Sequence, residues 1–83
     1  MISKKALGEA IQECLAGNWA RAHEIVMKDE ENEFACWIHA VVHRREGDLS
    51  NARYWYTRCG RRMRKGIAVE EELAEIRDAL GGR

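Results

Sequence analysis

Proline is absent from these 83 residues, phenylalanine occurs once, and no apolar run approaches the length of a membrane span. The longest, Phe34 to Val42 with His39 inside it, is about half of the roughly 20 residues a bilayer requires, so no membrane association is expected. Glu9, Gln12 and Glu13 interrupt what would have to be the apolar core of a signal peptide after Met1-Ile2-Ser3-Lys4-Lys5. Net charge is absent as well. Fourteen basic residues balance fourteen acidic ones, which argues against a mainly electrostatic nucleic-acid binder unless the charge is locally segregated. Cysteine is sparse and odd in number: Cys14, Cys36 and Cys59 lie far apart, unlike a disulfide framework, and reduced thiols in a cytoplasm are the simpler reading. A chain this short buries only about 60% of the surface its unfolded form exposes, so its apolar side chains are needed for the core and a roomy substrate cavity is not expected.

What is present is helical periodicity. Leu7, Ala10, Ile11, Cys14 and Leu15 recur at helix spacing, with Ser3 placed to cap the start and Gly17 to end it. Asn18 can cap a short second helix with an inward stripe of Trp19, Ala22, His23 and Val26. Glu33 through Glu46, after Asn32, is apolar on nearly every side, which suits a central helix packed by several neighbours. Gly47 stops it, Asp48 caps a fourth helix marked by Leu49, Ala52, Trp55, Tyr56 and Cys59, and Gly60 and Gly66 punctuate a basic run. Val69, Leu73, Ile76 and Leu80 then stripe a last helix, with Glu70, Glu71 and Glu72 in the first turn where its dipole favours anions and Gly81-Gly82 at its end. No useful stretch alternates with period two. The expectation is one all-α domain over residues 1–83.

The chain also matches itself at an offset of thirty, pairing Gly17-Asn18-Trp19, Ala22 and Val26 with Gly47-Asp48-Leu49, Ala52 and Tyr56, and Leu7, Ala10 and Ile11 with Trp37, Ala40 and Val41. Small residues fall where paired helices would touch and glycines where the turns would be, which predicts two antiparallel helix hairpins and a C-terminal capping helix. The arrangement resembles the tetratricopeptide repeat, whose second helix opens in the manner of Gly47-Asp48-Leu49-Ser50-Asn51-Ala52-Arg53-Tyr54-Trp55-Tyr56, although the period is short of that family's roughly 34 residues and no proline closes either unit. About half the chain is closer to a group of short bacterial proteins of uncharacterised function, through the run His39-Ala40-Val41-Val42-His43-Arg44-Arg45-Glu46-Gly47-Asp48 continuing to Tyr56, preceded by Trp19 and Ala22-His23. That resemblance implies a helical fold and a bacterial cytoplasm and carries no chemistry.

Cys36, His39, His43 and Glu46 share one helix face, with the two histidines one turn apart. The reading given first place is a polar network in which His39 and His43 bond to Asp48, Asn51 or Tyr54 on the facing helix. The alternative is a metal or ligand site on the Cys36/His39/His43 face, with His23, Cys59 or Asp48 as remote ligands; no CxxC or HExxH supports it. No phosphate loop, nucleophile turn or oxyanion element is present, so neither catalysis nor a cofactor is expected. Arg53, Arg58, Arg61, Arg62, Arg64 and Lys65 make a basic run with interleaved aromatics, and the acidic segment Glu70 to Asp78 follows closely enough to neutralise it, which makes nucleic acid an unlikely partner. Tyr54, Trp55 and Tyr56 cannot all face one groove, so an exposed aromatic beside Arg58 is expected to anchor an unidentified protein partner or a second copy, unless the closing helix covers it. The function expected is therefore a non-catalytic protein-interaction module, with a homodimer possible because two repeats need a last helix or another copy to complete their core.

Overall fold

The computed structural model describes residues 1–81 and is all-α. Its helices are α1 (Lys4–Leu15), α2 (Trp19–Val26), α3 (Glu33–Glu46), α4 (Leu49–Arg58) and α5 (Val69–Gly81), with a single 3-10 turn, Met27–Asp29, after α2. Among these residues there is no strand, and no helix is long and apolar enough to cross a membrane.

The turns arise from backbone chemistry that the glycines make available. Gly17 and Gly47 both adopt φ +86°, a left-handed conformation that costs other residues about 1–2 kcal/mol. At each, two amides fold back on the preceding helix. The Gly17 and Asn18 N–H groups donate to the carbonyls of Cys14 and Glu13, and those of Gly47 and Asp48 to Arg44 and His43. The thirty-residue offset is thus a repeat of one geometry. Gly60 ends α4 with the same pair of bonds, to Thr57 and Tyr56. At the helix starts, Ser3, Asn32 and Asp48 accept from the amides of Ala6, Ala35 and Asn51. Asn18 departs from expectation: its amide group donates to Glu13 at 2.9 Å instead of capping α2, tying the turn back to α1.

α3 packs against all four other helices, and its residues Ala35 to Val42 are buried without interruption. Ala10, Ala22, Ala40 and Ala52, the small residues paired by the internal repeat, are fully buried where helices approach. The closest partnerships, α1 with α2 and α3 with α4, are compatible with paired hairpins. α5 lies on α1 and α3 and completes the core, so no second copy is required for closure. Leu15 and Leu49, expected inside, are 44% exposed at helix ends. Gly81 is the last described residue of α5; Gly82, the other half of the expected stop, lies outside the described residues.

α5 is fixed by a buried polar cluster. Glu72, expected to sit in the first turn as a partner of the helix dipole, is only 3% exposed. Its carboxylate accepts from Trp37 Nε1 at 2.8 Å, from the Tyr56 hydroxyl at 2.7 Å and from Arg44 at 2.6 Å. Arg44 also donates to the Ile67 carbonyl, holding the segment that leads into α5. The Arg61 guanidinium lies over the outer Trp37 face at 3.4 Å. Burial, then the Glu72 carboxylate, raises Tyr56 above its ordinary value, so its hydroxyl remains a donor. Removing the acid strands the buried Trp37 and Tyr56 donors and leaves part-buried Arg44 without its counter-charge. Glu72→Ala is expected to cost about 3–5 kcal/mol, seen as a large fall in the urea midpoint, whereas exposed Glu70→Ala should shift it by less than about 0.5 kcal/mol.

Candidate functional site

The histidines of the sequence motif do meet a polar partner, but not the expected one. His39 and His43, one turn apart on α3, stack at 4.9 Å between ring centroids with planes 22° apart. His23 of α2 presents its ring edge-on to both, at 4.6 Å from His39 and 5.3 Å from His43. One nitrogen from each ring lies within 4.8 Å of the others. The floor is Trp55 of α4, stacked on His39 at 3.9 Å. α3 and α4 therefore engage through aromatic rings, where a hydrogen-bond network had been expected.

The structure corrects that network residue by residue. Asp48 is used locally, accepting from the Asn51 amide and from its side-chain nitrogen, as the start of α4 requires. Tyr54 points outward and its hydroxyl accepts from Arg58. Trp55, the next residue round the helix, takes the position facing His39. Of the expected polar partners only Glu46 hydrogen-bonds a histidine, with Oε1 3.1 Å from His43 Nδ1. That contact favours a proton on Nδ1 and leaves Nε2 as the lone-pair nitrogen of a neutral ring. His39 Nδ1 is buried without a hydrogen-bond partner, a condition that ordinarily costs about 1–3 kcal/mol. Burial first, and then the neighbouring His23 and His43, push the His39 pKa down to about 3.

Cys36, which the sequence placed with His39 and His43, is not part of the cluster. Its thiol is directed to the Glu30 carbonyl at 3.6 Å, and it lines a separate concavity with Glu30, Glu31, Glu33, Arg58 and Cys59. Burial raises its pKa and lifts those of Cys59 and Cys14 to about 11 and about 12, which leaves all three as poor nucleophiles. His23 replaces Cys36 as the third member. Its signal was its place on the inward stripe of α2, where it had been only one of several remote candidates.

The opposite side of α4 forms a second feature. α4 packs closely against α3 alone, so Ser50, Arg53, Tyr54, Thr57 and Arg58 line an open concavity of about 470 Å³. It runs into another, of about 300 Å³, lined by Arg53, Tyr56, Thr57, Arg61, Arg62, Met63 and Lys65. Tyr54 is 55% exposed and sits edge-on to buried Trp55 at 5.2 Å. Neutralisation by the acidic segment is narrower than expected. Arg64 pairs with Glu75 at 2.7 Å and Arg58 with Glu31 at 2.8 Å, while Glu72 turns inward to Arg44. Arg53, Arg61, Arg62 and Lys65 make no ion pair among the described residues.

No known protein family, curated protein or solved structure matches the chain.

A histidine whose folded pKa is about 3 and whose ordinary value is 6.5 favours the unfolded state as acid is added. The stability held above pH 6.5 is therefore lost progressively between pH 6.5 and 3, by up to about 1.4 kcal/mol per pH unit from this residue. His39→Phe keeps the ring stack and removes the titration. Urea midpoints at pH 7 and pH 4.5 are expected to differ less in this variant than in the parent chain.

Proposed function

We propose that this chain is a non-catalytic interaction module that docks an acidic segment of a partner protein on the outer side of α4. One observation carries the reading: in a chain of zero net charge, two adjoining concavities bring together Arg53, Arg58, Arg61, Arg62 and Lys65 around Tyr54 and Thr57, and no carboxylate lines either of them. Tyrosine and arginine are enriched in interface hot spots because each combines a broad apolar or planar surface with hydrogen-bonding groups. Tyr54 is backed by the buried Trp55 ring and held by Arg58, so it loses little freedom when a partner covers it. The unpaired cations supply complementarity and a faster encounter with an acidic segment. We extend the proposal to a tetratricopeptide-like module working in a bacterial cytoplasm, where its three free cysteines would stay reduced.

Fluorescence anisotropy of the full chain with a labelled peptide rich in aspartate, glutamate and leucine tests the proposal, with a single-stranded oligonucleotide of equal charge as competitor. Micromolar binding to the peptide is expected, weakened about tenfold or more by Tyr54→Ala and by the pair Arg53→Ala and Arg62→Ala. Preferential binding of the oligonucleotide, with a steep salt dependence, would move the surface to nucleic acid. No binding of either probe would remove the proposal.

A further inference from the structure

The inner side of α4 closes a constellation with different chemistry. We propose that His23, His39 and His43 bind one late first-row divalent transition-metal ion, with zinc as its representative. This is independent of the docking face, since none of the three histidines lines either concavity.

Four observations converge on this site. First, two histidines one turn apart on a helix are a known bidentate arrangement for zinc, and the third imidazole comes from a different helix, so the three donors surround a point and do not form a row. Second, a tetrahedral ion with Zn–N bonds of about 2.0–2.1 Å needs nitrogens roughly 3.3 Å apart. The three donors lie within 4.8 Å of one another, up to about 1.5 Å wider, so the imidazoles must close on the ion by side-chain rotation, for which half-buried His23 has the most room. Third, His43 already has the outer partner that metal-bound histidines use, with Glu46 on Nδ1, leaving Nε2 for the ion. Fourth, buried His39 carries a ring nitrogen with no partner, and coordination uses a lone pair that the protein itself leaves idle.

The donor set also selects the class of ion. Three imidazole nitrogens and no carboxylate oxygen within the cluster suit zinc, cobalt, nickel or copper and do not suit calcium or magnesium. His23 and His43 are less deeply buried than His39, which puts the fourth coordination position on the solvent side, where water or an added ligand can occupy it. The buried Trp55 ring stacks on His39, whose own exposure is only 3%.

The test uses the full chain without a polyhistidine tag, stripped with chelator and titrated with zinc by calorimetry and with cobalt by visible absorption. One equivalent is expected, with a Kd of about 10 µM or tighter, and cobalt bands of four-coordinate intensity. His23→Gln should weaken binding by more than about tenfold, and Glu46→Gln by about tenfold through loss of the carboxylate charge behind the His43 ring. Cys36→Ser and Tyr54→Ala should bind as the parent chain does. Circular dichroism establishes that each variant is folded; His23 and Glu46 are chosen because neither is deeply buried, so the test does not depend on replacing His39. Absence of saturable binding up to about 1 mM zinc, or equal affinity in folded His23→Gln, would overturn the site and leave the three rings as aromatic packing against Trp55.

Discussion

A carboxylate taken almost completely out of water has to be surrounded by donors, and the position of Glu72 sets where much of this chain must lie. Its three partners come from α3 and α4: Trp37 and Arg44 from the first, Tyr56 from the second. α4 has no close backbone packing with α5, so the Tyr56 hydroxyl is the link that joins them through Glu72. The geometry is cooperative, because each donor neutralises or polarises the same acceptor and none has water as a substitute. A small chain with limited apolar area obtains from this cluster a definite docking angle for its closing helix. The Arg61 guanidinium then covers Trp37 from outside, extending the same arrangement into the segment after α4.

The polar side chains of α3 are divided by helical phase. Trp37 and Arg44, seven residues apart, share one face, and it is the face turned to Glu72. His39 and His43 lie on nearly the opposite face and meet His23 and Trp55. Between these two faces the helix presents alanine, isoleucine and valine to its neighbours. A helix buried on every side usually has an apolar sequence throughout. Here the polar positions are tolerated for two different reasons. On one face the Trp37 and Arg44 donors are taken up by the Glu72 carboxylate and the Ile67 carbonyl. On the other the rings stack, yet the His39 Nδ1 atom is left without a partner. Only the second face therefore has unused bonding capacity, and this separates a structural cluster from a candidate site.

The features legible from sequence were those fixed within a few residues of the chain. Gly17 and Gly47 required left-handed turns, Ser3 and Asp48 offered caps, and the alanines spaced by the repeat ended at close helix contacts. The exposed aromatic expected on α4 is Tyr54. The misreadings concern long-range partners. Nothing local distinguishes Glu72 from Glu70 and Glu71, since its burial depends on Arg44, Trp37 and Tyr56 being brought to it by the fold. In the same way, periodicity put Cys36 on one face with His39 and His43 and left His23 on the inward stripe of α2, and only the packing of α2 on α3 brings His23 to the two rings. Asp48 and Asn51 were lost from the expected network because bonds between near neighbours on one helix end form at lower entropic cost than bonds across helices.

Charge completes the account of α4. The balance of fourteen and fourteen does not spread evenly, because one acid is consumed inside by Arg44 and others are held by Arg58 and Arg64 at the rim. What remains on the outer side of α4 is a local excess of arginine and lysine. With a Debye length of about 8 Å at physiological ionic strength, such an excess acts only over a few residues' distance. It cannot steer a distant polyanion in the way a highly charged domain does, and its reach is confined to groups in near contact with α4. Tyr54 and Trp55, consecutive residues about 100° apart on the helix, then divide the two sides of α4 between them: one ring is exposed on the outer side, the other stacks on His39.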